Sequence, residues 1–516
     1  MSETDGCPRG KVYLVGAGPG DPGLITLRGA QRLREADVVL YDYLVNSRIL
    51  SHVRPGTETF CLGRHGYTRI WSQEEINAKL IQLAREGKTV VRLKNGDPTV
   101  FGRCAEEAEA LAEAGIVFEL VPGITAALAA ASYAGIPVTD RRLASAVALV
   151  TGQEDQEKEG QPLDYAALAR FPGTLVFYMG VLTAPRWTAA LMAAGKPPET
   201  PAAIIRHCSL PDQQVIECTL DQVARWLAPE HGIRPPVIVI VGAVAQLAKG
   251  LGWFQRRPLV GRRIMVTRPE EQAERLVEML DGLGAEVLVQ PAIEIGPPED
   301  WGPVDAALGR LAEFDWLVFS SSNGVRYLLE RLLASGRDMR ALASLRIAAI
   351  GPGTAAELAR YHLRADLQPE AYRAESLGAA LAPQARGKRF LLARAGRGRE
   401  VLSEQLQAAG AEVEQVVVYR SSDTQSPRAD AASLLSAGKV DYVTVTSSAI
   451  ARALVRLFGD ALRRSRLASI SPVTSATLRE LGFPPCVEAQ TYTMEGVVAA
   501  ILRDVREASL SLVDRQ

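Results

Sequence analysis

The segments of this sequence best suited to chemistry are short turns rich in glycine, serine and threonine that follow apolar, β-branched runs. Turns of that kind expose backbone amides and hydroxyls at strand ends, where ligands are held in open α/β sheets. The first, GAGPGDPG at 16–23, invites a dinucleotide-binding reading that fails in detail. A GxGxxG fingerprint wants glycine at position 21, which is Asp21, and its loop must open directly into a helix. Pro19 and Pro22 also remove amide donors that a pyrophosphate would need. In the second half, FSSSNG (319–324), GPGT (351–354), TSS (446–448) and SPVT (471–474) recur after strands, with Arg268, Arg394, Arg397 and Arg399 near the same face. Hydroxyls, amides and guanidinium forks in one place suit an anionic ligand. The plainer alternative is that each turn only caps its own helix, and the arginines form a solvated charge run. The five histidines show no ligand spacing and the six cysteines no CxxC pair, so neither a metal site nor a disulfide framework is expected.

These turns need elements to carry them. A chain of 516 residues predicts three or four domains. With 58 basic and 59 acidic residues it lacks the global excess of a nucleic-acid binder. The N-terminus MSETDGCPRG has no apolar secretory core. The uncharged stretch 120–139 is long enough to span a membrane, but it is mostly alanine and is broken by Pro122, Gly123, Gly135 and Pro137. It reads as a loop followed by a buried helix, in a soluble, cytoplasmic protein. Runs at 11–15, 38–41, 89–93 and 117–121 read as buried parallel strands. Between them lie helical segments such as 72–85, opened by a Ser72–Glu75 capping box. The alternation predicts an α/β architecture throughout. It breaks at GLGWFQRRPL (250–259), which marks the boundary between two halves.

The second half repeats itself. GRRIMVTR (261–268) matches GKRFLLAR (387–394), LGAEV (283–287) matches AGAEV (409–413), and WLVFSSS (316–322) matches YVTVTSS (442–448), all at an offset of 126. IGPGT (350–354) then parallels ISPVT (470–474), and Tyr372 with Glu375 parallels Tyr492 with Glu495, at 120. Five matches in order indicate a duplicated unit, and two similar α/β lobes with a cleft between them are a common ligand-binding arrangement.

In the first half, GAGPGDPGLITLRG, VVRLKNGDPTVFGR (90–103), VPGITAA (121–127) and TLVFYMG (174–180) occur together in order. This set resembles the tetrapyrrole methylases, nearest to the uroporphyrinogen-III C-methyltransferases, over residues 10–255. The resemblance implies two α/β domains, a homodimer, and S-adenosylmethionine bound in the cleft between the domains, with S-adenosylhomocysteine as product. Carried over by position, it assigns cofactor contacts to Pro19, Asn95, Gly96, Asp97, Val100, Thr125, Ala126, Met179 and Cys208, and catalytic roles to Asp42, Arg64, Arg103 and Glu106. On residue pattern alone, Arg103 and Glu106 also fit an ordinary i,i+3 helix pair, and Met179 a packed core residue. The chain departs from the family pattern at Arg64 (usually Lys), Asn95 (Gly), Cys104 (Gly), Gln153 (often His) and Cys208 (Gly). An arginine does not give up a proton, so at position 64 only a charge-orienting role carries over. Asparagine tolerates positive φ better than most residues, so Asn95 is expected to keep the turn.

The second half, through VTRP, the SSxNGV strand end, IGPGTAAEL, LLARA, GAEV…VVVYR and YTMEG, resembles the uroporphyrinogen-III synthases over residues 260–510. The resemblance implies that the chain crosses between two lobes twice, giving lobes of about 260–294 plus 421–510, and 297–418. It places a catalytic tyrosine at Tyr419 and substrate contacts at Ser321, Thr354, Arg394, Ser447 and Thr474, with no metal. Together the two resemblances imply a bifunctional enzyme that cyclises hydroxymethylbilane to uroporphyrinogen III and methylates it at C2 and C7 toward sirohaem or cobalamin. Two alternatives stay open: a methylase acting on a later corrin precursor, and a regulatory tetrapyrrole- or S-adenosylmethionine-binding protein with a decayed methylase site.

Overall fold

A computed structural model describes residues 10–63, 70–154, 161–397 and 400–513, with side chains to 508. The chain divides into two compact units. One runs through Arg262 and takes in Asp281–Glu286; the other comprises Arg263–Leu280 and the chain from Val287 onward.

The first unit holds two five-stranded sheets. Strands β1 (Lys11–Gly16), β2 (Val38–Tyr41), β3 (Glu58–Cys61), β4 (Thr89–Lys94) and β5 (Val117–Val121) form a parallel sheet in the order β3-β2-β4-β1-β5. Helices cover both faces, so β1, β2 and β4 are buried almost end to end, which explains their unbroken apolar runs. The helix Gln73–Arg85 has the Ser72–Glu75 capping box in place. The uncharged stretch forms the helix Ala126–Ala134, which buries five alanines and ends at Gly135 in the left-handed region (φ 71°). A side chain at Gly135 would meet the Leu251 carbonyl at 2.3–2.4 Å, so both conformation and room demand glycine. No helix among the described residues is long and apolar enough to cross a membrane.

The second sheet of this unit contains β6 (Val147–Thr151), β7 (Thr174–Tyr178), β8 (Pro201–Arg206), β9 (Gln214–Thr219) and β10 (Val237–Val241), in the order β6-β7-β10-β8-β9. Only β6 and β7 run parallel; β10 pairs antiparallel with β7 and β8, and β8 with β9.

The other unit also has two sheets. The first comprises β11 (Arg263–Val266), β12 (Glu286–Val289), β18 (Tyr442–Val445), β19 (Arg466–Ser469) and β20 (Val487–Glu488), in the order β12-β11-β18-β19-β20. The second comprises β13 (Ile293–Gly296), β14 (Trp316–Phe319), β15 (Arg346–Ala349), β16 (Arg389–Ala395) and β17 (Glu412–Asp423), in the order β13-β17-β16-β14-β15. The beginning and end of this half of the sequence thus share a sheet, and the middle forms the other. Ile293–Gly296 lies antiparallel to 420–423 at the end of β17, so two passages of chain run side by side there.

A candidate active site in the first unit and a hydroxyl-lined strand end in the second

The loops after β1, β2, β4 and β5 open into a cleft of about 720 Å³. The loops after β1 and β4 are zipped together: the Gly18 amide donates to the Gly96 carbonyl at 3.1 Å, and the Gly96 amide to that of Gly18 at 2.8 Å. A side chain at Gly123 would come within 2.2 Å of the Gly96 carbonyl, so here glycine serves direct contact of backbone with backbone. Asp97 locks the third loop. Its Oδ2 accepts from the Gly123 amide at 2.9 Å, while its Oδ1 accepts from the Thr99 amide at 2.8 Å and hydroxyl at 2.5 Å. Tyr178 braces the fourth side. Its hydroxyl pairs with Thr125 Oγ1 at 2.6 Å and accepts from the Ala127 amide at 2.9 Å.

Of the residues carried over by resemblance, Pro19, Asp42, Asn95, Gly96, Asp97, Val100, Arg103, Thr125, Ala126, Met179 and Cys208 all line this cleft. Met179 is no core residue: it is 51% exposed and holds a positive φ of 53°. Cys208 is buried, and that burial pushes its thiol up to about 12, so it presents a neutral group. Asn95 has positive-φ glycine as its neighbour, and its own Oδ1 is buried without a protein partner. Arg103 forks onto Glu106 at 2.7 and 2.6 Å; both are half exposed, and each charge stabilises the other. Glu106 itself does not line the cleft. Arg64 lies outside the described residues.

Three charged groups beside Asp42, and the geometry of all four, are more than the motifs foretold. Arg92 and Lys94, alternate residues of β4, are each 3% exposed, and Glu107 on the next helix is fully buried. Glu107 Oε1 accepts from Arg92 Nε at 3.0 Å, Lys94 Nζ at 2.8 Å and Gln73 Nε2 at 3.3 Å. Arg92 Nη2 reaches Asp42 Oδ1 at 2.5 Å, and the Asn95 amide donates to Asp42 Oδ2 at 3.3 Å. Two buried cations thus meet two carboxylates. Burial, reinforced by the Arg92 charge, pulls the pKa of Lys94 below its usual value despite Glu107. Two cations inside a strand covered on both faces are the signal that could have found this cluster, since each needs a buried counter-charge. Phe101 and His207, which also line the cleft, share with Arg103 and Met179 a positive φ of 50–54°. Among the described residues six non-glycines have positive φ, and four of them line this cleft. Strain of that kind gathers where geometry is fixed for function.

In the other unit, Tyr419 on β17 is 8% exposed and stacks on Tyr327 with ring centroids 5.9 Å apart. Its hydroxyl lies 3.0 Å from Ser321 Oγ, which also accepts from the Gly324 amide and so caps its helix. Ser447 likewise caps the helix Ser448–Phe458. Thr354 and Thr474 are buried in the first turns of theirs. Ser321, Thr354, Arg394 and Tyr419 belong to the sheet of β13–β17, Ser447 and Thr474 to the other. Arg394 is committed to Glu400 and to Gln415, the latter at 2.8 Å, and Arg397 to Asp423 at 2.9 Å; Arg399 lies outside the described residues. Among the described residues no cluster of His, Cys, Asp or Glu is arranged to hold a metal ion.

Comparison with known proteins matches the same two regions. Residues 11–224 fit the model of the Tetrapyrrole (Corrin/Porphyrin) Methylases, and residues 274–499 that of Uroporphyrinogen-III synthase HemD. A "Porphyrin biosynthesis protein HemD" of Ruminiclostridium josui is 34% identical over 493 residues, 95% of each chain. The "Uroporphyrinogen-III C-methyltransferase" of Bacillus subtilis is 39% identical over 333 residues, 64% of this chain and 68% of its own. An "S-adenosyl-L-methionine-dependent uroporphyrinogen III methyltransferase" of Methanosarcina barkeri is 47% identical over 243 residues, 47% of this chain and 95% of its own. The chain belongs to the family of tetrapyrrole-biosynthesis proteins that join a tetrapyrrole methylase to a uroporphyrinogen-III synthase.

Proposed function

We propose that the second unit closes hydroxymethylbilane to uroporphyrinogen III, and that the first methylates this product at C2 and C7 to give precorrin-2. The observation that carries the methylase reading is the cleft of about 720 Å³, with Asn95 Oδ1 buried and unpartnered beside glycine-packed backbone. That donor set fits S-adenosylmethionine: an open amide oxygen, exposed main chain, the neutral Cys208 thiol, and apolar contact from Pro19, Val100 and Met179. When bound, the cofactor supplies an electrophilic methyl group on a sulfonium and leaves as S-adenosylhomocysteine.

The chain's own residues then have defined tasks. Asp97 holds the turn rather than the ligand, since both of its oxygens are spent on backbone or on Thr99. Arg103 offers its guanidinium to the carboxylates of the tetrapyrrole. Attack by a pyrrole carbon forms the new C–C bond and leaves a cationic ring, which must lose a proton. Asp42, held by Arg92 at the cleft wall, receives it. In the second unit Tyr419, backed by Ser321, helps the hydroxyl of hydroxymethylbilane depart as water.

Homodimerisation through the methylase unit is supported by apolar side chains left open on and beside its edge strands: Leu27 (91% exposed), Val117, Leu120, Leu128, Val147 and Leu149. Purified chain given hydroxymethylbilane and S-adenosylmethionine should yield a tetrapyrrole carrying two added methyl groups. Product without methyl groups would leave only the synthase reading, and methylation of a later corrin precursor but not of uroporphyrinogen III would change the substrate. Arg103→Ala should lower methyl transfer while leaving cofactor affinity nearly unchanged; full activity would return Arg103 and Glu106 to a surface pair.

A further inference from the structure

The offset of 120 that relates Tyr372 and Glu375 to Tyr492 and Glu495 extends to the backbone around them. Tyr372 is the middle residue of a three-residue turn, closed by the Arg373 amide donating to the Ala371 carbonyl at 2.8 Å. Tyr492 sits in the same turn, closed by the Thr493 amide donating to the Thr491 carbonyl at 2.8 Å. Each turn comes five residues after an edge pairing, Leu367 with Ala348 and Val487 with Ala468, and each leads into a helix, Ala374–Leu381 and Met494–Val513. The flanking residues differ between the copies, so the tyrosine is what the two turns share. Both rings are open, at 62% and 63% exposure, beyond the carboxyl ends of parallel strands. The root of the Tyr372 ring rests on Gly351, where a Cβ would come within 3.1 Å of Tyr372 Cβ and Cγ. Gly351 is extended (φ −177°), which any residue can adopt, so its missing side chain makes room for this ring.

Arg268 lies two residues past β11, and its guanidinium meets the segment just after Tyr492. Nη1 contacts Met494 Sδ at 3.1 Å, Nη2 donates to Gln272 Oε1 at 3.1 Å, and Nε is buried without a partner. Among the described residues no carboxylate pairs with it, whereas Arg394, its counterpart in the repeat, is paired with Glu400. Burial pulls its pKa down, with no anion to offset the loss of water. A largely buried guanidinium without a counter-charge is costly, and a ligand anion would relieve it.

We propose that Arg268 receives a carboxylate of the linear tetrapyrrole, and that Tyr492 on the same sheet and Tyr372 at the equivalent place on the other each cover a pyrrole ring of that chain. The substrate is a polycarboxylate with aromatic rings spaced along it, and the protein presents a cation without a counter-charge against Met494, two residues on from one exposed ring, and the same ring again on the second sheet. This inference rests on the synthase reading above.

Steady-state ring closure of hydroxymethylbilane by the full chain tests it. Arg268→Gln should raise KM at least roughly tenfold with little change in kcat, and Arg268→Lys should lie between it and the unchanged chain, because an ammonium keeps the charge but not the fork. Tyr372→Ala and Tyr492→Ala should each raise KM roughly twofold to tenfold, the range of an aromatic contact, whereas the Phe variants should stay near the unchanged chain. Methyl transfer to supplied uroporphyrinogen III, measured on the same preparations, should not move. Unchanged KM in Arg268→Gln, or in a variant carrying both Tyr372→Ala and Tyr492→Ala, overturns the proposal, as does a KM in the Phe variants as poor as in the alanine ones. Failure of the unsubstituted chain to close hydroxymethylbilane overturns the synthase reading itself, and this proposal with it.

Discussion

Replacing Glu107 with Gln removes one charge from a cluster of four, three of them buried, and leaves the other three in place. Arg92, Lys94, Asp42 and Glu107 sum to zero in the native cluster; the variant carries one excess cation where side-chain exposure is 4%, 3% and 0% for Arg92, Lys94 and position 107. Removing one partner of a buried ion pair costs about 3–5 kcal/mol. The amide oxygen of Gln can still accept from Lys94, which argues for the lower end, about 3 kcal/mol. In a unit of this size that corresponds to a fall in melting temperature of roughly 6–12 °C. Calorimetry of the full chain measures it, because S-adenosylmethionine should raise the transition that belongs to the methylase unit. The sign with pH is fixed by Lys94, whose pKa already lies below its ordinary value through burial and Arg92 and falls further without Glu107. Between that folded value and about 10.4 the unfolded chain binds the extra proton, so stability rises with pH across this window. The deficit of Glu107→Gln should therefore shrink as pH rises from 7 toward 10, and Lys94→Met in the same background should recover part of it. A deficit below about 1 kcal/mol, or one that does not change with pH, would refute the charge-balance account.

Three further outcomes follow from other groups. Glu119 accepts from Lys11 at 3.1 Å and also pairs with Arg28 and Arg32, which holds its carboxyl at about 2. Its contribution is complete above the ordinary carboxylate range and is lost as pH falls toward 2, so Glu119→Gln should flatten the urea midpoint between pH 5 and 2. Cys208, with its thiol pushed up to about 12 by burial, should resist alkylation in the native chain at pH 8 while the exposed Cys486 reacts, as peptide mapping would show. Tyr419→Phe should slow ring closure roughly a hundredfold with little effect on KM, the low end for a positioned proton donor, while Thr354→Val and Ser447→Ala should matter less; equal turnover would remove Tyr419 from the chemistry.

What the sequence disclosed depended on how local the signal was. Buried strands such as 11–15 and 89–93 announce themselves by unbroken β-branched runs, and the capping box at Ser72 by two residues three apart. The turn residues of the cleft are reached through the order of the motifs that carry them, and the positive φ expected at Asn95 falls on Gly96 instead. The partners of Arg92 and Lys94 could not be placed, because the counter-charge lies 13–15 residues away on another element and only the fold brings it to 2.8–3.0 Å. The availability of cations was equally opaque. Arg268 and Arg394 occupy matching places in the repeat, yet Glu400 takes up one of them and the other keeps a guanidinium nitrogen without a partner. Spacing equates the two arginines; only their neighbours tell them apart.

The two units meet the problem of holding a ligand in different ways. In the methylase unit the cleft is braced by the chain's own cross-links. Phe101, Arg103, Met179 and His207 hold left-handed backbone conformations that cost a non-glycine residue about 1–2 kcal/mol each. They are kept there by cross-links between loops: Asp97 on the Gly123 amide, Tyr178 on Thr125 and Ala127, and the paired amides of Gly18 and Gly96. Strain held by such bracing serves a site whose reacting atoms must be aligned closely for methyl transfer. In the synthase unit the described residues include one non-glycine with positive φ, His362. Its groups are instead left incomplete: two tyrosines more than half exposed, and an arginine whose buried Nε has no partner and whose charge has no anion among the described residues. A flexible linear substrate has conformational freedom to lose, and a site completed by the substrate's own charge and rings couples that loss to the gain of contacts. The first unit should therefore change little in hydrogen exchange when S-adenosylmethionine binds. The segments around Tyr372 and Tyr492 should gain protection when hydroxymethylbilane is present, and equal protection in both units would remove the contrast.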